Sequence, residues 1–317
     1  MNVINFALEK GLEHELESKR VHFRKEVTLA PLSSFKIGGV SPLVIEPESV
    51  EEIETVLFLL NQYSIEYKIL GGGTNLLISD HPDDFVTIRL GENYKKFEMI
   101  EEGKFRIGAA CNTTPTFRKI SLMGYRGVEF LSTIPGWVGG AVIQNAGCYG
   151  GELFDFTDSV KFLEQGKVYT LQKEKIDFGY RYTQFLKSKS AFILEIEMSL
   201  KSGNLAEIEE SLKEKRDKRN SSQPENKKSA GSVFKNPNLK DDKGNSMKSW
   251  ALIDAVGMRG FQLGGALVAR EHCNFIVNTG DAKAREVYKI ISEIKEKVFQ
   301  RFGIELEQEI EFFGKVP

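Results

Sequence analysis

Cysteine is nearly missing from this 317-residue chain. The three present, Cys111, Cys148 and Cys273, are odd in number and far apart, which argues against a disulfide framework and for a reducing compartment. Histidine is almost as scarce. His14, His22, His81 and His272 have no metal-ligand spacing, so no metal is expected. No apolar run approaches the length of a membrane span. The stretch "MNVINFALEKGLEHELESKR" carries charges where a signal peptide needs an apolar run, and a cytoplasmic location is expected. Excess charge is also lacking: the formal net charge of −2 speaks against electrostatic binding of nucleic acid. An anionic small ligand stays possible, because backbone N–H groups hold phosphate without net positive charge.

What is present is ordinary in bulk and unusual in detail. Hydrophobic and charged fractions of 41% and 28% belong to a globular protein, and the length accommodates two or three domains. Residues 1–30 read as a helical extension. In "SVEEIETVLFLLNQYS", Ile53, Val56, Leu57 and Leu60 share a helical face, with Ser49 as N-cap and Glu52 three residues on. Strand-like runs follow in "EYKIL", "DFVTIRL" and "KFRIGAA", then a helix from about Pro115 to before Gly124, then strands over 158–200. A charged helix leads into a Ser-, Asn- and Lys-rich stretch, with 219–229 a candidate lid. "SWALIDAV" reads as a helix capped by Gly257, "HCNFIVN" as a strand, 281–302 as a long amphipathic helix, and "IELEQEIEFF" as a final strand. This order of elements implies an α+β fold with mixed sheets.

Glycine is concentrated in two places. "KILGGGTNLLISD" sets three glycines directly after a strand, where the missing Cβ lets backbone N–H groups approach a diphosphate. The spacing is not G-x-G-x-x-G, since Leu76 interrupts it, so a Rossmann dinucleotide site is disfavoured. By themselves three glycines serve a tight turn equally well. The second cluster, "IPGWVGGAVIQNAGCYGGE", has more flexible positions than a plain connection needs. Two such loops suggest a large diphosphate-bearing cofactor.

The motifs "LSSFKIGG", "GGGTNLL", "IPGWVGGAVIQNAGCYGGE", "YRYTQF", "AGSVFKNP" and "GGALVAREHCNFIVN" occur in this order over about residues 32–311. In that order they resemble the UDP-N-acetylenolpyruvoylglucosamine reductase (MurB) family, in its second type, which lacks an inserted tyrosine-bearing loop. The resemblance implies a two-part FAD-binding module of the vanillyl-alcohol-oxidase (PCMH) type and a smaller α+β substrate domain. The expected division is 31–100 and 101–218 for the two FAD-binding subdomains and 219–303 for the substrate domain, with a strand at 304–313 returning near the site. It implies non-covalent FAD, with NADPH as co-substrate and the enolpyruvate of UDP-N-acetylglucosamine as substrate, reduced to UDP-N-acetylmuramate for peptidoglycan synthesis. A monomer with neither nucleic-acid nor membrane partners is expected.

The same resemblance assigns residues. FAD contacts are expected from Gly71, Gly72, Gly73, Thr74, Asn75 and Leu76 in the first loop. In the second they are expected from Ser132, Thr133, Pro135, Gly136, Gly139 and Gly140, and from Asn145, Ala146 and Gly147. Arg181 resembles the family's catalytic arginine, whose planar guanidinium holds a carboxylate by two hydrogen bonds. Ser232 resembles its proton donor. No histidine lies within thirty residues of it, but a hydroxyl needs no adjacent base to protonate a carbanion. Glu309 matches the C-terminal glutamate, although strand alternation alone would put Glu305, Glu307, Glu309 and Glu311 on one solvated face, with Glu307 and Glu311 as alternatives. Tyr149, Lys235, Asn236 and His272 are candidate substrate contacts. Two other readings remain: a different flavin oxidoreductase of the superfamily, with His81 or Cys148 as a covalent flavin link, and an inactive flavin or nucleotide-sugar binder.

Overall fold

A computed structural model describes residues 4–315 apart from 5, 6, 9, 83, 189, 225–227, 241 and 242. The chain forms two compact units that interleave in sequence. One comprises Met1–Lys25, Pro42–Gly72 and Asp84–Arg219; the other comprises Glu26–Ser41, Gly73–Asp83 and Asn220–Pro317.

In the first unit, strands Val40–Ile45 (from Pro42 on), Val86–Ile88 and Tyr67–Ile69 lie side by side in parallel, with Phe23–Thr28 (up to Lys25) on the outer edge of the sheet. The middle strand, Val86–Ile88, is β-branched at every position and buried throughout. Helix Val50–Gln62 covers this sheet. The Ser49 hydroxyl accepts from the Glu52 N–H at 3.2 Å, and the Glu52 carboxylate accepts from the Glu48 N–H at 2.8 Å. Ile53, Val56, Leu59 and Leu60 are buried, each worth roughly 2 kcal/mol in removal from water. A second sheet is antiparallel, in the order Lys167–Gln172, Thr157–Glu164, Phe192–Ser199, Lys104–Gly108, Phe97–Glu101. Its central strands carry Phe105, Ile107, Val160, Phe162, Ile196 and Met198 into the core, while the edge strand Lys167–Gln172 is exposed along nearly its whole length.

The second unit is built on helix Ala284–Phe302, which buries Val287, Ile290, Ile291, Ile294 and Val298 and ends at Gly303 in the left-handed conformation (φ 67°). Strands Gln262–Leu263, Ala266–Val268 and Ile276–Asn278 form an antiparallel sheet. Helix Ser249–Ala255 stops where Gly257 takes φ 76° and its N–H bonds the Asp254 carbonyl at 2.9 Å.

Three sequence expectations differ from the observed elements. Residues 1–30 are not simply helical: helix Leu12–Ser18 is followed by strand Phe23–Thr28, whose charged, exposed residues hid its edge-strand character. The final strand is only Glu311–Phe313, because Glu305–Gln308 is extended but unpaired except through an isolated bridge at Gln308. The stretch 219–229 begins as the end of helix Leu205–Ser222, and its residues 225–227 lie outside the described set.

Candidate active site

The first glycine cluster leaves the carboxyl edge of the parallel sheet, just past the Leu70 N–H that bonds the Ile88 carbonyl at 2.8 Å. No atom lies within 4 Å of where a Cβ on Gly71 would sit. A Cβ on Gly72 would lie 2.9 Å from Gly136 Cα and Trp137 N, so within the first unit the two glycine clusters touch backbone to backbone. In the second unit, Gly73 (φ 64°) sits against the Leu32 carbonyl, 2.1 Å from its ideal Cβ position. Asn75 donates its amide to the Glu309 carbonyl at 2.9 Å, and its own carbonyl accepts the Glu311 N–H at 2.9 Å. Strand Leu76–Ile78 then pairs in parallel with Glu311–Phe313.

The second cluster is less of a loop than its glycines suggest, because Val138–Ile143 is helical. Ser132 and Thr133 donate to the Glu129 and Phe130 carbonyls at 2.6 and 2.7 Å. The Gly136 carbonyl accepts from both the N–H and the hydroxyl of Thr113. Gly139 is pinched against Ala109, whereas Gly140 faces open space. Asn145 is fully buried (0% exposed), and its amide is spent on Glu152, the Gly179 carbonyl and the Phe154 N–H. Its side chain therefore shapes the fold, and its φ of 43° is left-handed. Gly147–Cys148 pairs with Gly151–Glu152 through a two-residue turn, Tyr149–Gly150, with φ 55° and 87°, the type I′ pattern.

Arg181 lies in the first unit, at a hairpin tip between Phe178–Gly179 and Tyr182–Thr183. Its φ of 53° is strained for a non-glycine residue and costs on the order of 1 kcal/mol. The guanidinium donates to the Gly147 carbonyl at 2.7 Å and stacks on Tyr180 at 5.1 Å, while the Tyr182 hydroxyl turns to Asp177. Further cations gather here. On helix Leu205–Ser222, Lys215, Lys218 and Arg219 follow i, i+3, i+4 spacing. Lys218 Nζ lies 5.2 Å from the Tyr149 ring. Burial pushes the Cys148 thiol up, against the pull of Thr133 and of the charges on Arg219, Arg181 and Lys215. Sequence reasoning passed over these three cations as part of a solvated charged helix; their spacing was the available signal.

Ser232 and Glu309 lie in the second unit. Ser232 bridges Phe275, Val233 N–H bonds the Asn274 carbonyl at 2.8 Å, and Glu309 N–H bonds the Val233 carbonyl at 2.8 Å. The buried Asn274 amide clamps Phe234 from both sides, at 3.0 and 2.8 Å. Among the C-terminal glutamates, Glu305, Glu307 and Glu311 are exposed and Glu309 is half-buried. Lys235 pairs with Glu307, and Asn236 accepts the Ser249 N–H at 3.2 Å. His272 packs edge-on against Phe275 at 4.9 Å; its Nδ1 is buried without a partner among the described residues, and burial lowers its pKa.

Comparison with known proteins gives this geometry a family. Residues 41–172 match the family described as FAD binding domain, and residues 223–313 match UDP-N-acetylenolpyruvoylglucosamine reductase, C-terminal domain. A UDP-N-acetylenolpyruvoylglucosamine reductase of Leptospira interrogans is 58% identical over 97% of each chain. The chain belongs to the UDP-N-acetylenolpyruvoylglucosamine reductase family. A reductase of the same name from Clostridioides difficile is 35% identical over 89% of this chain and 90% of its own. The crystal structure of the reductase from Thermus caldophilus superposes with a TM-score of 0.77 at 29% identity, covering 92% of this chain and 98% of that one. The α+β fold with an FAD-binding domain is thus that of the reductase family.

The residues present fit FAD. Gly71 and Gly140 leave open exactly the space a Cβ would fill, and Gly72 and Gly136 bring the two glycine clusters together. No cluster of three or more His, Cys, Asp or Glu suited to a metal, and no helix long and apolar enough to cross a membrane, occurs among the described residues.

Proposed function

We propose that this chain reduces the enolpyruvyl ether of UDP-N-acetylglucosamine to the lactyl ether of UDP-N-acetylmuramate, drawing electrons from NADPH, in the cytoplasm, as a step of peptidoglycan precursor synthesis. The observation that carries the reading is 58% identity to a reductase along 97% of both chains. FAD, held by the two glycine clusters around Gly71 and Gly140, would supply the hydride-transfer chemistry that links NADPH to the enolpyruvyl group.

The chain's own residues manage the charge and the proton. Hydride addition leaves negative charge at C2, delocalised into the carboxylate. Arg181 holds that carboxylate through its planar fork. Ser232 donates its hydroxyl proton to C2, an acceptor basic enough to take it. Glu309 orients Ser232 and assists its reprotonation; the backbone bond between Glu309 and Val233 supports this pairing. Lys215, Lys218 and Arg219, beside Tyr149, offer the charge that a nucleoside diphosphate requires. Lys235, Asn236 and His272 complete the substrate contacts. Residues 31–100 and 101–218 serve the cofactor and 219–303 the substrate, in a monomer without nucleic-acid or membrane partners.

The test is NADPH consumption under anaerobic conditions. It should depend on the enolpyruvyl sugar nucleotide, and the protein should be yellow and release its flavin on acid precipitation. Oxidation indifferent to that substrate overturns the reading; flavin kept in the pellet favours a covalent oxidase instead.

A further inference from the structure

The parallel strands of the first unit end together: Ile88 is the last residue paired with both Ile45 and Ile69. Glu46, Leu70 and Arg89 are the next residues, so one ion pair and the first glycine cluster leave the same carboxyl edge of the sheet, the edge where open α/β sheets place their ligands. The Glu46 carboxylate accepts from Arg24 at 3.1 and 3.2 Å and lies 3.2 Å from His22. It reaches Arg89 only at 3.9 Å. Arg89 is 13% exposed, and its Nε is buried without a partner among the described residues. Burial works against its charge and Glu46 supports it.

What Arg89 does contact is an aromatic ring. Its guanidinium stacks 4.8 Å from the centroid of Trp137, and Lys95, itself paired with Glu92, lies 5.9 Å from the same ring. Trp137 is the N-cap residue of helix Val138–Ile143, and its backbone nitrogen is one of the three atoms that abut Gly72. A planar cation anchored to the sheet edge therefore grips the residue at which the second glycine cluster meets the first.

We propose that Arg89 is a positioning residue for FAD: held by Glu46, it fixes Trp137 and so sets the backbone contact of Gly72 with Gly136 that brings the open positions at Gly71 and Gly140 to the cofactor's diphosphate. This rests on the FAD-binding reading above. Arg89 acts through Trp137, and its contribution is a well-placed loop rather than a direct contact with the reacting atoms.

The experiment measures FAD dissociation constants by flavin fluorescence on deflavinated protein, together with the thermal midpoint of that apoprotein and turnover at saturating FAD. Arg89→Met, which keeps the stem and drops the charge, should weaken FAD about tenfold, or about 1.4 kcal/mol. Arg89→Lys should weaken it less, since charge persists without the planar stack. Turnover at saturating FAD should return to the wild-type value in both. Trp137→Phe combined with Arg89→Met should cost less than the sum of the single changes. FAD affinity within twofold of wild type for Arg89→Met, with only a lowered apoprotein midpoint, overturns the proposal, as do strictly additive losses. Should Arg89→Met fail to fold, Arg89→Lys and Trp137→Phe decide by the same readouts. Wild-type protein that takes up no FAD removes the cofactor reading itself, whereas wild-type binding with an indifferent variant removes only this inference.

Discussion

Arg181 and Ser232 are held in opposite ways. Arg181 sits on a two-residue hairpin tip in a left-handed conformation, fixed by the reach of its own side chain to the Gly147 carbonyl. Ser232 sits in an extended segment whose neighbours are bonded on both sides, to Asn274 and to Glu309. In the proposed mechanism Arg181 meets a carboxylate through a planar fork that its own side-chain contact aims. The proposed proton donor, Ser232, must meet one carbon, and a backbone ladder gives it a small range of positions. The contrast predicts that changes at Arg181 act through chemistry and local strain, while changes around Ser232 act through geometry and stability together.

The largest effect should come from Ser232→Ala, which should slow sugar-nucleotide reduction on the order of 10³-fold while NADPH still reduces the flavin at close to the normal rate, as stopped-flow absorbance would show. Equal loss in both half-reactions would remove the serine from proton transfer. Next, Arg181→Lys keeps the charge but not the fork, and steady-state assays should find turnover down roughly 10- to 100-fold with little change in flavin content. Asn274→Ala leaves the Phe234 N–H and carbonyl without their buried partner; chemical denaturation should find a loss of about 1–3 kcal/mol. If Ser232 depends on this clamp, turnover should fall too, which no stability loss at the Arg181 tip would mimic.

The smallest effect concerns pH. The folded-state pKa of His272 is lowered by burial, so between that value and about 6.5 the unfolded chain binds more protons than the folded one. Stability therefore falls as pH drops below about 6.5. His272→Gln should flatten that part of the curve, and an unchanged difference between pH 7.5 and 5.5 would contradict it.

Much of this was legible where the controlling interactions are local. The helix at Val50–Gln62 follows from a serine cap and apolar spacing, and the helix at Ala284–Phe302 from a five-residue stripe and a terminal glycine. Leu59 rather than Leu57 proved fully buried there, a shift of face that only the packed sheet could select. The glycines looked alike in sequence but divide in space: Gly72 and Gly139 are occupied by neighbouring protein, whereas Gly71 and Gly140 are open. Arg89 drew no notice because nothing near it in sequence explains a buried cation; its partners Glu46 and Trp137 are distant in the chain.

The sequence alone determined the caps, the periodic helices, the two glycine clusters and the motif order that marks the reductase family, because each is written within a few neighbouring residues. Tertiary structure decided the rest. The amide of Asn75 reaches Glu309 across 234 residues, three helical cations gather around Cys148 and Tyr149, and Arg181 bends left-handed toward Gly147. Such contacts depend on where distant segments pack, since their energies exist only once the chain entropy of closing long loops has been overcome.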